Sequence, residues 1–209
     1  MNKDINVLLF DLGGVIIDIN FDRVFKYWAE LSHRQQPSLH TLKSRFQMDE
    51  AYRRHEKGEI TAAQYYDSLR ESLGLRLTNN EIETGWNQVF IGMIPGITEL
   101  LNNLQKKIPL YCFTNTNNTH RQEWQNRWGD QLQAFEKIFV SSEIGLRKPD
   151  REAFDYVVES IGETHQKILF LDDSLENIQG AQRAGLQTAH VRTLEEITNA
   201  IDFYLDSTA

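Results

Sequence analysis

Residues 7–15 read Val-Leu-Leu-Phe-Asp-Leu-Gly-Gly-Val. Four apolar residues run into a single aspartate, and two glycines follow at once. A short apolar run ended by turn residues is the pattern of a strand buried on both faces of a parallel sheet. That reading puts Asp11 at the strand's carboxyl end, where open α/β sheets place their chemistry. Gly13 and Gly14 let the backbone turn sharply and approach a ligand closely. Taken alone, Asp11 reads more simply as an aspartate that caps a helix or turn. The rest of the chain decides between the two readings.

The pattern repeats downstream. Leu110–Phe113 is a second buried strand, ending in Thr114-Asn115; Ile138–Val140 is a third strand; Ile168–Leu171 is a fourth, ending in Asp172-Asp173; Thr188–Val191 is a fifth. Helical stripes alternate with them. Ile97, Leu100, Leu101 and Leu104 share one helical face, and further helices are expected at residues 118–128, 149–161, 174–184 and 194–205. Strands alternating with helices imply an α/β fold, a Rossmann-like parallel sheet with helices on both faces, built from right-handed crossovers. Between the first and second strands the style is different. Phe21, Val24, Phe25 and Trp28 open a helix near Asn20. Thr61 is a good N-cap for residues 62–73, Gly74 closes that helix, and Thr78 with Glu81 resembles a capping box for a helix through Val89. No strand is expected before about Phe90. The domain reading is therefore a core of residues 1–19 and 91–209 with a helical insertion at 20–90.

Length and composition suit this. The 209 residues make one domain with a modest insertion, and 40% hydrophobic residues are enough for its core. Lys+Arg 22 against Asp+Glu 30 gives a net charge of −8. Such a field opposes nucleic-acid and anionic-membrane surfaces, so neither partner is expected. It also means that a phosphate ligand needs local positive charge or a metal. The lone Cys112, flanked by apolar residues, reads as a buried structural thiol, and its isolation fits a reducing compartment. No signal sequence or apolar run of membrane-spanning length is visible, so the expected location is cytoplasmic. The expected assembly is a monomer or weak homodimer.

Asp11, Thr114-Asn115, Asp172-Asp173 and the loop Arg147-Lys148-Pro149 are each unremarkable alone. In one α/β chain they converge on one edge of the sheet. Asp11 and Asp173 are hard oxygen ligands suited to Mg²⁺. Thr114 offers a hydroxyl and nearby amides to phosphoryl oxygens, and Lys148 supplies a point charge. Asp11 can attack phosphorus and form an aspartyl-phosphate.

The segments FDLGGV, FTNTN, SSEIGLRKPD and LFLDDSLENI, in that order, resemble the four motifs of the haloacid dehalogenase superfamily. The insertion resembles that family's cap domain. The resemblance implies Asp11 as nucleophile, Thr114 and Lys148 as phosphate ligands, and Asp173 as a Mg²⁺ ligand; Asn115, next to Thr114, is a further candidate for binding the substrate. Asp172 would hold the metal through water, and Gly13 would offer its backbone carbonyl. Most phosphatases of the superfamily carry a second aspartate where this chain has Gly13, as general acid and base. The chain is therefore most similar to the subgroup with an Asp-Leu-Gly-x-Val motif, which includes phosphatases of α-D-glucose 1-phosphate.

The implied function is a Mg²⁺-dependent phosphatase of a small phosphorylated metabolite. Three explanations of Gly13 stand open. The leaving group needs little protonation; another group does the proton work, with His55 and Glu56 as candidates; or the protein binds a phosphometabolite or a partner protein with little turnover. Arg53, Arg54 and His55, in the insertion's densest cationic cluster, are expected to border the substrate. The alternative reaction, metal-free dehalogenation of a 2-haloacid, is disfavoured by the acidic pair Asp172-Asp173.

Overall fold

The computed structural model describes residues 5–31 and 37–205; the polar residues 1–4 lie outside the described residues. Strand β1 (Val7–Phe10) lies at the centre of a five-stranded parallel sheet. On one side it pairs with β4 (Leu110–Thr114), which pairs in turn with β5 (Lys137–Val140). On the other side it pairs with β6 (Ile168–Asp172), and β6 with β7 (Gln187–His190). All four residues of β1 are buried, which explains why the run is apolar throughout rather than alternating. The pleat still sorts them: Leu8 and Phe10 enter one core, Val7 and Leu9 the other. Helices α9 (Arg151–Ile161) and α10 (Leu175–Ala184) cover the second face through Phe154, Val157, Ile178 and Ala181. On the first face lie α6 (Ile97–Leu104) and α11 (Leu194–Leu205), packed through Leu101 and Ile201.

The chain winds from β1 outward to β4 and β5, then returns to the far side of β1 for β6 and β7. This reversal sets the carboxyl ends of β1, β4 and β6 side by side, the place where such sheets form a crevice. The corner after β4 leads into α7 (Asn118–Trp128), and β5 runs into one turn of helix, α8 (Ser141–Ile144), which the sequence pattern does not announce.

Among the described residues the insertion holds α1 (Phe21–Glu30), α2 (Leu39–Arg45), α3 (Glu50–Glu56), α4 (Ala62–Leu73) and α5 (Asn79–Trp86). Side-chain caps fix several of their starts. Thr61 and Gln64 form a reciprocal capping box on α4, and Thr78 and Glu81 form another on α5. Gly74 takes the left-handed conformation that closes α4. Helix α5 stops at Trp86, and residues 87–89 tighten into a 3₁₀ turn instead of continuing to Val89.

The insertion is bracketed by a two-stranded antiparallel ribbon of β2 (Ile17–Ile19) and β3 (Phe90–Met93), with Ile17 opposite Met93. Strand β2 is hard to see in the sequence because it is only three residues long, Ile-Asp-Ile, and directly follows the fully buried Val15 and Ile16. The second strand of the ribbon straddles the boundary expected near residue 90. Among the described residues no helix is long and apolar enough to cross a membrane.

Inside the insertion Trp28 and Trp86 stack 6.0 Å apart, both buried. Gly85 permits this approach: a Cβ there would lie 2.1 Å from Trp28 Nε1. Alanine is worth about 1 kcal/mol more than glycine in a helix interior. We predict that Gly85→Ala nonetheless destabilises the protein by about 1–3 kcal/mol, as overpacked cores do. Urea unfolding checks this, and a stability gain would contradict the packing account.

Candidate active site

Lys148 is fully buried, a rare state for a lysine. Its Nζ donates to Asp11 Oδ1 at 2.7 Å, to Asp172 Oδ2 at 2.7 Å and to the Phe113 carbonyl at 2.8 Å. All three ammonium protons are therefore committed. Burial opposes the charge, but Asp11 and Asp172 outweigh it and hold the ammonium protonated beyond its ordinary range. Burial likewise pushes the Asp11 carboxyl above the usual carboxylate range, with Lys148 opposing and Asp172 adding to the rise. The loop carrying Lys148 is fixed by Asn115, whose amide donates to the Lys148 carbonyl and accepts from its N–H, both at 2.9 Å. Asn115 does reach the cavity wall, but this amide is occupied in clamping Lys148 rather than free for a ligand.

Oxygen atoms of Asp11, Asp172 and Asp173 lie within 4.8 Å of one another. Three buried or half-buried carboxylates against one lysine leave a net negative cluster of hard donors, the chemistry that suits Mg²⁺. Burial raises the Asp173 pKa, and the neighbouring Asp172 raises it further. Gly14, at φ 84°, is shaped to this cluster: a Cβ there would sit 2.4 Å from Asp173 Oδ2. Asp172 is held from below by Ser174 N–H at 2.8 Å and by Asn177 Nδ2 at 3.0 Å. The sequence spacing suggests Asn177 as a partner of Asp173; the structure gives it to Asp172.

Above the cluster is a cavity of about 250 Å³. Asp11, Gly13, Thr114, Lys148 and Asp173 form its sheet side, and Phe21, Met48, Tyr52 and Glu56 close it from the insertion. Val89, Phe90, His120 and Trp124 make an apolar flank. Thr114 is buried at the end of β4.

Arg53, Arg54 and His55 are not in this wall, which corrects the expectation that they border the substrate. Arg53 pairs with Glu50 and Arg54 with Glu59, on the half-exposed side of α3. His55 turns inward and stacks on Tyr65 at 4.5 Å, where burial lowers its pKa to about 4. The phase of the helix decides this: Tyr52 and Glu56, four residues apart, share the face toward the cavity. The cation at the cavity wall is instead Arg147, which the sequence places in the converging loop without a role of its own and whose Nε and Nη2 reach Glu56 Oε2 at 3.0 and 2.9 Å. Its position next to Lys148 in the chain was the available signal.

The haloacid dehalogenase-like hydrolase family matches residues 5–185. The chain is 25% identical to a D-ribitol-5-phosphate phosphatase of Bacteroides thetaiotaomicron, over 87% of this chain and 89% of that one. It is 29% identical to the sesquiterpene phosphatase astK of Aspergillus oryzae, with 88% of each chain covered. Among solved structures, a HAD-family enzyme from Bacteroides thetaiotaomicron in complex with magnesium and inorganic phosphate superposes with a TM-score of 0.75 at 30% identity. That match covers 88% of this chain and 92% of that one.

His120 gives the site a measurable pH signature. Its ring stacks on Trp86 at 5.0 Å, and Nε2 lies 3.2 Å from the Trp86 carbonyl. Burial lowers its pKa to about 3, from an ordinary value of 6.5. Between those values the unfolded chain holds a proton that the folded chain does not. Stability therefore rises with pH across this window and falls as the medium is acidified. In His120→Gln the stability–pH slope from about pH 6 to about pH 4 should be shallower by up to about 1.4 kcal/mol per unit. Denaturant titrations at several pH values measure it; an unchanged slope contradicts the neutral buried ring.

Proposed function

This chain belongs to the haloacid dehalogenase-like hydrolases, and from that membership and its site we propose that it is a Mg²⁺-dependent phosphatase of a small sugar or polyol phosphate. The observation that carries the reading is the buried Lys148 between Asp11 and Asp172, beside Asp173 and under one cavity. Lys148 takes one oxygen of Asp11, so the other is the attacking atom. It forms a bond to phosphorus as the bond from phosphorus to the alcohol oxygen breaks. Water then cleaves the aspartyl-phosphate, releasing inorganic phosphate and restoring Asp11. The Thr114 hydroxyl donates to the phosphoryl oxygens, and Lys148, whose protons are all committed, stabilises them by its charge alone. Asp11, Asp173 and the Gly13 carbonyl, with Asp172 through water, would hold Mg²⁺, which neutralises phosphoryl charge that this acidic site would otherwise repel.

Gly13 cannot transfer a proton, and such a group typically contributes about 10²–10⁴-fold in rate. An anomeric sugar phosphate such as glucose 1-phosphate, whose leaving group needs little protonation, is therefore the preferred substrate in this reading. The relative named for D-ribitol 5-phosphate supports the wider polyol class. The helices at 20–90 act as a cap that excludes water during the reaction and opens for release. Dehalogenation is the weaker reading, because Asp172 and Asp173 add negative charge to a site that would have to bind a carboxylate.

Phosphate release from a panel of anomeric sugar phosphates, 6-phosphates, polyol phosphates and nucleotides tests the proposal. Turnover should require Mg²⁺, stop in EDTA, and fall to background in Asp11→Asn and Gly14→Ala, with 1-phosphates leading. Turnover that survives EDTA, or equals that of Asp11→Asn throughout, would overturn it.

A further inference from the structure

We infer that the buried ion pair of Glu56 and Arg147 makes the leaving-group side of the cavity reject a second anionic group, so that the substrate carries one phosphate on an uncharged alcohol. The inference rests on the phosphatase reading of the same site. The wall contains two side-chain cations, Lys148 and Arg147. The three protons of Lys148 are committed to Asp11, Asp172 and Phe113. Arg147 is turned to Glu56, and the two side chains are only 16% and 6% exposed.

Glu56 is not free to swing away. Its backbone carbonyl accepts from the buried Ser141 Oγ at 2.7 Å, and that hydroxyl in turn accepts from Thr116 N at 2.8 Å. Two residues on, Gly58 presses on the sheet domain: a Cβ there would meet the Ser142 carbonyl at 2.3 Å. The end of α3 is thus docked on the corner between β5 and α8, and the carboxylate is held at the cavity. Beside it the insertion contributes Phe21, Met48 and Tyr52, none of them cationic.

A hydroxyl arriving here can donate to Glu56, and a carbon chain can lie along Phe21 and Met48. A carboxylate or second phosphate meets Glu56 with no cation to spare, and it must shed its water to do so. Selection by a built-in repulsive group is a general route to specificity, and like charges brought together at a desolvated site are strongly unfavourable. The two partners then have opposite effects. Removing the charge of Glu56 releases Arg147 to receive an anion. Removing Arg147 leaves the anion nothing to pair with.

The test compares ribitol 5-phosphate with 5-phosphoribonate, which differ by a terminal hydroxymethyl against a carboxylate. Wild-type kcat/KM should favour the neutral ester by about 10²-fold or more. Glu56→Gln should shrink the ratio to about tenfold or less, whereas Arg147→Gln should leave it at or above the wild-type value. A purely structural role for the pair would move both variants in the same direction, and that result overturns the inference. So does similar use of the two esters by the wild type. If the wild type hydrolyses neither ester nor p-nitrophenyl phosphate with Mg²⁺, the phosphatase reading falls and takes this inference with it.

Discussion

Three carboxylates gathered at the ends of adjacent strands repel one another, and removing water strengthens that repulsion. Asp11, Asp172 and Asp173 are in this position, and a single buried ammonium answers them. Lys148 reaches two of the three directly, and its third proton goes to the Phe113 carbonyl of β4. One side chain therefore ties together β1, β4, β6 and its own loop. Breaking such a buried pair by removing one partner typically costs about 3–5 kcal/mol, because the remaining charge is left uncompensated. The balance is still incomplete, with three acids to one base, and the deficit is what suits the cluster to a cation.

The same corner of the sheet also receives the insertion. Arg147, one residue before the lysine, pairs with Glu56, and Ser141 at the end of β5 meets the Glu56 carbonyl. The residues that complete the charge arrangement below the cavity are thus neighbours in sequence of those that dock the helices above it. A motion of α3 away from the sheet has to break the Arg147 pair, beside the loop that carries Lys148. In the unbroken state the cavity has a polar floor, an apolar flank and one fixed carboxylate in its roof.

The fold was legible because the three central strands, β1, β4 and β6, are short apolar runs that each end in polar turn residues. Asp11, Thr114 and Asp173 could be picked out because each stands at such an end, and Lys148 because it sits in a polar loop between two of them. What escaped depends on partners far along the chain or on helix phase. Asn115 clamps Lys148 from 33 positions away. The pairing of β2 with β3 spans the whole insertion. On α3, a helix of seven residues, charge density pointed to Arg53 and Arg54, but Tyr52 and Glu56 carry the inward face. Spacing alone pairs Asn177 with Asp173, four residues before it, whereas α10 presents the Asn177 amide to Asp172.

The charge balance at Lys148 can be measured directly by thermal unfolding of Lys148→Met and the wild type, each with and without Mg²⁺. Without the metal the variant should lose about 3–5 kcal/mol, the usual consequence of leaving a buried carboxylate without its partner. Mg²⁺ should restore part of that loss and raise the variant's Tm by more than it raises the wild type's, since a second cation then answers Asp11 and Asp172. A variant as stable as the wild type without Mg²⁺, or one that Mg²⁺ does not stabilise, would contradict the account.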